Sequence, residues 1–143
     1  MEKLTYYNVY IDGIDKAGKD TVNDYITRLA DFKYLNKSRG LLTMIAYAEK
    51  FNRHYEYDLD SMRKSVHVLL DVEKHDWEAR CKIANEPKID YDADVKLFDK
   101  AYKQLKEAGY KVYRFNTSYE CAYQIAIHIL VLLDRLNEGK TND

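Results

Sequence analysis

Residues 13 to 21, Gly-Ile-Asp-Lys-Ala-Gly-Lys-Asp-Thr, place two glycines, two lysines and two carboxylates within nine positions. Gly13 and Gly18 let the backbone turn sharply, and Lys19 brings a point charge to the turn. With a strand before it and a helix after it, such a loop aims its amides and the helix N-terminus at one anion, a phosphate cradle. The pattern for such a cradle, GxxxxGK[ST], has a hydroxyl after the lysine to meet magnesium. Here that position is Asp20, and Thr21 stands one residue too late to replace it without a shift of register.

The flanking elements suit the loop. Tyr6 to Ile11 is β-branched and aromatic and reads as a buried strand. Between Thr21 and Ala30 the apolar residues Val22, Tyr25, Ile26, Leu29 and Ala30 recur at the spacing of one helix face. Phe32 to Lys37 reads as a short second strand ending at Ser38-Arg39-Gly40, and Leu41 to Arg53 as a helix. Tyr55 to Asp60 lacks periodicity and reads as a surface loop. Val66 to Val72 is almost continuously apolar, as strands buried on both faces of a parallel sheet are. Helices follow at Asp76 to Ile83 and at Asp94 to Ala108, the first broken at Asn85 to Lys88 by Pro87 and the second closed by Gly109. Tyr110 to Asn116 is a fourth strand and Tyr119 to Leu136 a long final helix, before a frayed tail over 137–143.

Alternation of strands and helices implies crossover connections, an α/β fold with a mostly parallel sheet of about four strands between helical layers, in one domain spanning 1–143. Ligands of such sheets sit beyond the carboxyl ends of the strands, where the glycine loop, Ser38-Arg39, Asp71 and Asn116 all fall.

At 143 residues the chain is the size of one ordinary domain, and 23 basic residues against 24 acidic ones give no support for broad electrostatic binding to nucleic acid, although a local basic cleft stays open. No apolar stretch approaches the roughly 18 to 20 residues of a membrane span, and Met1 to Thr5 does not start a signal peptide. Cys81 and Cys121 read as two buried free thiols of a cytoplasmic protein, and neither joins the four histidines in metal-ligand spacing. His67, inside the apolar strand, reads as a satisfied core histidine; His54, His75 and His128 show no partner pattern. The 14 tyrosines mostly fall at core-facing positions.

In order, these segments resemble the thymidylate kinase group of P-loop nucleoside monophosphate kinases. Gly13 to Thr21 stands against that group's G-x-D-G-x-G-K-S-T, Ser38-Arg39-Gly40-Leu41-Leu42 against its Asp-Arg at a strand end, and Val68 to Val72 with Arg80 against its Leu-Asp-Val strand and arginine-bearing helix before a lid. Asp90 to Leu105 is similar to the segment after the lid, so the lid itself would cover about 80–93. The resemblance spans roughly 6–136 in shortened form, because only residues 22–37, sixteen in all, separate Thr21 from Ser38. That compaction is similar to small kinase-like proteins of bacterial viruses, with the host cytoplasm as the implied location.

The resemblance implies ATP and Mg2+ as cofactors and a nucleotide as substrate. Gly13, Asp15, Lys16, Ala17, Gly18, Lys19, Asp20 and Thr21 would then form the nucleotide site, with Lys19 and the amides of residues 16–21 on the donor's outer phosphates. Arg39 would hold the acceptor phosphate or steady the transferring group, Arg80 with Lys82 or Lys88 would be lid charges, and Asp15 would face the acceptor or magnesium. Asp20, Ser38 and Asp71 would meet the metal. Asp20 and Ser38 carry the group's hydroxyl and carboxylate in exchanged places, an arrangement magnesium, with its preference for hard oxygen ligands and retained waters, can accommodate.

Each residue also has a plainer reading. The loop could be a bare strand-to-helix turn, Arg39 a surface ion pair, Asp71 a turn cap, and Arg80 and Lys82 a solvated helix face. The Leu130 to Leu133 run fits either packing on the sheet or a homodimer interface. The rival from another class is an inactive scaffold that binds nucleotide or protein, favoured by Asp20, Ser38 and the short chain.

Overall fold

The computed structural model describes residues 8–56, 58–84 and 90–138. Among them are four strands and six helices in the order β1 (Asn8–Gly13), α1 (Lys19–Leu29), β2 (Leu35–Ser38), α2 (Leu41–Phe51), α3 (Leu59–Arg63), β3 (Ser65–Asp71), α4 (Lys74–Ala84), α5 (Tyr91–Glu107), β4 (Lys111–Asn116) and α6 (Ala122–Asn137). The strands form one wholly parallel sheet in the order β2-β1-β3-β4. The chain steps from β1 to β2 in one direction, then crosses back over β1 to β3 and on to β4. Right-handed crossovers put the helices of the two directions on opposite faces. In keeping with that, α1 packs with α6 and α2 packs with α5. The reversal of order falls at β1, so the loop after β1 opens at the switch point where such sheets bind ligands.

The core follows from the strand composition. In β3 every residue from Ser65 to Leu70 is buried, which its position between β1 and β4 and beneath both helical layers requires. Val9 and Ile11 of β1 and Ile125, Ile129 and Leu133 of α6 have no exposed surface. Each such side chain contributes about 1.5 to 3 kcal/mol by leaving water. The register Ile11↔Ser38, Gly13↔Leu70 and Asp71↔Asn116 brings the four strand ends to one edge of the sheet.

Several boundaries differ from the sequence reading. The second strand begins at Leu35 rather than Phe32, because Asp31 and Phe32 adopt positive φ in the turn after α1 and Phe32 stays 79% exposed. The expected loop from Tyr55 runs into the short helix α3, capped by the Asp58 carboxylate on the amides of Asp60 and Ser61. Helix α5 starts three residues early, where Asp90 accepts from the Ala93 amide. Helix α6 starts late, since Asn116 first turns the chain by accepting from the amides of Tyr119 and Glu120. Gly109 closes α5 as expected, with the Tyr110 amide on Leu105 O and its own amide on Lys106 O. Cys81 is buried but Cys121 is exposed, so one of the two expected buried thiols is not. Tyr6, Tyr7, the break at Asn85 to Lys88 and most of the 137–143 tail lie outside the described residues.

Candidate phosphate site and its flanking cavities

The loop after β1 is shaped by what takes its carbonyls. Lys19 Nζ donates to Gly13 O at 2.8 Å and Ile14 O at 2.9 Å. Trp77 Nε1 donates to Asp15 O at 3.0 Å, Arg80 to Lys16 O at 2.9 Å, and Thr117 Oγ1 to Ala17 O at 3.0 Å. Five successive carbonyls are thus held by side chains from α1, α4 and the turn after β4. Gly18 closes the loop at φ +100° and starts α1, whose first-turn amides and positive dipole end face the cavity. Gly13 has no room for a side chain, as a Cβ there would lie 2.5 Å from Leu70 O.

Two cavities meet at this loop. The larger, about 550 Å³, is lined by Asp15, Lys16, Gly18, Lys19, Asp20, Thr21, Arg80, Thr117, Cys121 and Ala122. The smaller, about 200 Å³, is lined by Gly13, Asp15, Lys19, Arg39, Thr43, Tyr47, Lys50, Phe51 and Asp94. Lys19 and Asp15 belong to both and form their common wall. Burial pushes the Lys19 ammonium below the usual lysine range, against the opposing pull of Asp15 and Asp12. An anion replacing its two carbonyl partners would reverse that shift.

The structure gathers most of the expected residues here. Ala17 alone of the loop set lines neither cavity, being buried beneath the loop. Arg80 reaches the larger cavity, pinned between Lys16 O and Thr117 Oγ1 at 3.1 Å. Arg39 reaches the smaller one from the turn between β2 and α2, at φ +62°. Lys82 is exposed, and Lys88 lies outside the described residues.

Asp20 and Ser38 are neighbours. Asn23 Nδ2 donates to Ser38 Oγ at 2.8 Å, and Ser38 Oγ in turn points at Asp20 Oδ1 across 3.5 Å, the outer limit of a hydrogen bond. A carboxylate and a hydroxyl side by side at the cradle are hard oxygen donors of the kind Mg2+ takes, with water filling the other positions. Asp71 is placed otherwise. Its two oxygens accept from Arg114 at 2.6 and 3.1 Å, and Arg114 also meets Asp99 at 2.7 Å. The pairing with Asp71, then Asp99, holds the Arg114 guanidinium above its ordinary range. Asp71 contributes to the site through its carbonyl, which accepts from Thr117 N at 2.8 Å and lies 3.1 Å from Thr117 Oγ1, whose one proton it shares with Ala17 O. No cluster of three or more His, Cys, Asp or Glu side chains suited to a metal occurs among the described residues.

Four contributors escaped the sequence reading. Trp77 and Thr117 carry no motif, although Trp77 is the only tryptophan in the chain. The Lys50–Asp94 pair, at 2.9 and 3.1 Å beside Tyr47 and Phe51, joins α2 to α5 in the lining of the smaller cavity. Asp12 is the fourth. Its side chain is wholly buried, and burial raises its carboxyl to about 6 despite the bonds from Thr43 and Gly40. A carboxylate in an otherwise apolar strand was the available signal.

No family model matches the sequence, and no curated protein does. Among solved structures, the chain is similar to the YorR protein of Bacillus subtilis, crystallised in complex with phosphorylated GDP. The TM-score is 0.73 at 16% identity, over 94% of this chain and 99% of that one. A shikimate kinase from Bacteroides thetaiotaomicron is more distant, with a TM-score of 0.45 at 13% identity over 90% of this chain and 98% of that one. The likeness to the YorR protein extends over nearly the whole of both chains, and it establishes the expected three-layer α/β fold.

Proposed function

We propose that this chain is a compact single-domain kinase of the nucleoside monophosphate type, transferring the γ-phosphoryl of ATP to a nucleotide or nucleotide-like hydroxyl or phosphate. The observation that carries this reading is the wall of Lys19 and Asp15 shared by two cavities, one bordered by Arg80 and the other by Arg39. Phosphoryl transfer asks little covalent help of a protein; it needs donor and acceptor in line and positive charge around the transferring group. In this reading the larger cavity takes ATP, with its phosphates on the loop and the first turn of α1. The smaller takes the acceptor, with Arg39 on its phosphate. Lys19 then leaves the Gly13 and Ile14 carbonyls for the transferring group, flanked by the two arginines. The bound nucleotide of the YorR protein structure supports a nucleotide in this fold.

Asp20 and Ser38 are the residues that would hold Mg2+, which supplies charge neutralisation and orientation of the phosphates when bound. Without a metal, a carboxylate 4 Å from a phosphate charge would cost about 4 kcal/mol at an effective dielectric of about 20. That cost is what favours the second reading, an inactive scaffold. The closer likeness to the thymidylate kinase group, a viral source with the host cytoplasm as location, and a homodimer remain parts of the proposal that rest on sequence alone.

The test is ADP release from ATP and Mg2+ against a panel of nucleoside monophosphates, with Lys19→Ala as control. Acceptor-dependent release that disappears in the control is the expected result. ATP binding without release for any acceptor would favour the scaffold, and no ATP binding at all would overturn the cradle itself.

A further inference from the structure

Burying a carboxylate is expensive unless its oxygens are satisfied, and Asp12 is satisfied on one side only. Oδ1 accepts from the Gly40 amide at 2.5 Å and from Thr43 Oγ1 at 2.5 Å, while Oδ2 has no hydrogen-bond partner. Both donors belong to the start of α2. Gly40 is its N-cap residue and brings no side chain to the orphan amides of the first turn. A capping serine or aspartate could not stand there, because a Cβ on Gly40 would collide with the Tyr10 side chain. Asp12, from the adjacent strand, therefore does the work of the missing cap, with a charge that suits a helix N-terminus.

The turn held in this way is the one that carries Arg39. Arg39 sits in the left-handed region at φ +62°, a conformation a side-chain-bearing residue keeps only where its surroundings enforce it. Its own amide is tied to Ile11 O at 3.3 Å, and the next amide, Gly40, is tied to Asp12. Two consecutive residues of β1 thus grip two consecutive amides of the turn. Asp12 is also the chain neighbour of Gly13, whose carbonyl receives Lys19. One residue links the end of the strand that launches the phosphate loop to the turn that launches Arg39.

We infer that Asp12 is the positioning residue of the acceptor side, fixing Arg39 relative to Lys19 by capping α2 from the neighbouring strand. This rests on the phosphoryl-transfer reading for the role of Arg39. Loss of the grip would leave the loop carbonyls with Lys19, Trp77, Arg80 and Thr117, so ATP binding should survive. The acceptor would lose a correctly aimed guanidinium. A misplacement of about 1 Å at a transferring group costs on the order of 100-fold.

The experiment compares Asp12→Ala and Asp12→Asn with the unaltered protein. It measures ATP affinity through Trp77 fluorescence, ADP release with the best monophosphate of the panel, and hydrogen exchange at the Gly40 amide. In Asp12→Ala, kcat/KM for the acceptor should fall by about 100-fold while ATP affinity moves less than about 3-fold. Asn keeps an oxygen for both donors, so Asp12→Asn should recover to within about 3-fold of the original. Exchange at Gly40 should quicken in the Ala variant and not in the Asn variant. If Asp12→Ala fails to fold, Thr43→Val removes one of the two donors and should show the same split on a smaller scale. Parallel losses of ATP affinity and acceptor turnover, an Asn variant as poor as Ala while still folded, or Gly40 exchange indifferent to Asp12 would each overturn the inference. Absence of acceptor-dependent release in the unaltered protein would instead overturn the kinase reading, and Gly40 exchange would still decide whether Asp12 is the cap.

Discussion

The two cavities on either side of Lys19 are built by opposite means. The larger is bordered by one loop and the start of α1, and five carbonyls of that loop are held by four side chains from three places in the fold. The smaller, beyond the shared wall, depends on side chains: Arg39 from one turn, Tyr47, Lys50 and Phe51 from one face of α2, and Asp94 from α5. Its Arg39 turn is held by only two contacts from β1, the Ile11 carbonyl and the half-satisfied Asp12 carboxylate. A main-chain cradle suits a ligand part that never varies, such as a triphosphate. A side-chain cavity can be altered one residue at a time, which suits a part that differs between substrates. The redundancy of the first and the economy of the second predict different responses to substitution.

The largest contrast should come from the two arginines. Arg80→Ala should weaken ATP binding and turnover by about 100-fold with the acceptor KM little changed, whereas Arg39→Ala should spend a similar loss on the acceptor. Steady-state kinetics with each substrate varied in turn would show it, and equal effects on both substrates would erase the distinction between the cavities.

Next in size is the stability stored at Asp12. With its folded pKa raised to about 6 from 3.8, the protonated form is favoured by folding. The stabilisation is full below about pH 4 and is lost as pH rises through about 6. The ionised residue then weighs against the fold by about 3 kcal/mol. Asp12→Asn should therefore raise the denaturation midpoint at pH 8 and leave it almost unchanged at pH 4. His67 runs the other way, because burial lowers its pKa and its stability is lost as pH falls below the ordinary histidine value of 6.5. Urea titrations of the two proteins across pH 4 to 8 isolate the Asp12 part.

A smaller effect tests the exchanged pair. Asp20→Ser and Ser38→Asp should each lower Mg2+-dependent turnover by about tenfold, and the double variant should restore or exceed it. A gain from Asp20→Ser alone would mean the two positions do not compensate. Smallest is Trp77→Phe, which removes one of the five carbonyl contacts. A single neutral hydrogen bond is worth about 1 kcal/mol, so calorimetry should find ATP affinity reduced by about 5-fold.

The sequence made the larger cavity legible and the smaller one largely not. The strand, the glycine spacing and Lys19 are local, and local pattern is what a chain displays. Arg39 and Ser38 could be placed because they end a strand next to the loop in the sheet. Asp12, Thr43, Lys50 and Asp94 could not be, since their meeting depends on how α2 and α5 lie against the sheet. Thr117 is one hundred residues from the carbonyl it holds. Asp71 shows the same limit from the other side. Its place at a strand end was correct, yet its carboxylate meets Arg114, a pairing that no spacing announces. The short helix α3 was missed because five residues hold too little periodicity to show.

The central claim is that the cavities share one wall and are filled together across it. The most direct measurement is the affinity of a bisubstrate ligand, adenosine joined through five phosphates to the 5′ position of the acceptor nucleoside. If donor and acceptor lie in line across Lys19 and Asp15, the joined ligand should bind at least about 100-fold more tightly than ATP, and Arg80→Ala and Arg39→Ala should each weaken it. A joined ligand that binds no better than ATP, and ignores Arg39→Ala, would contradict the account.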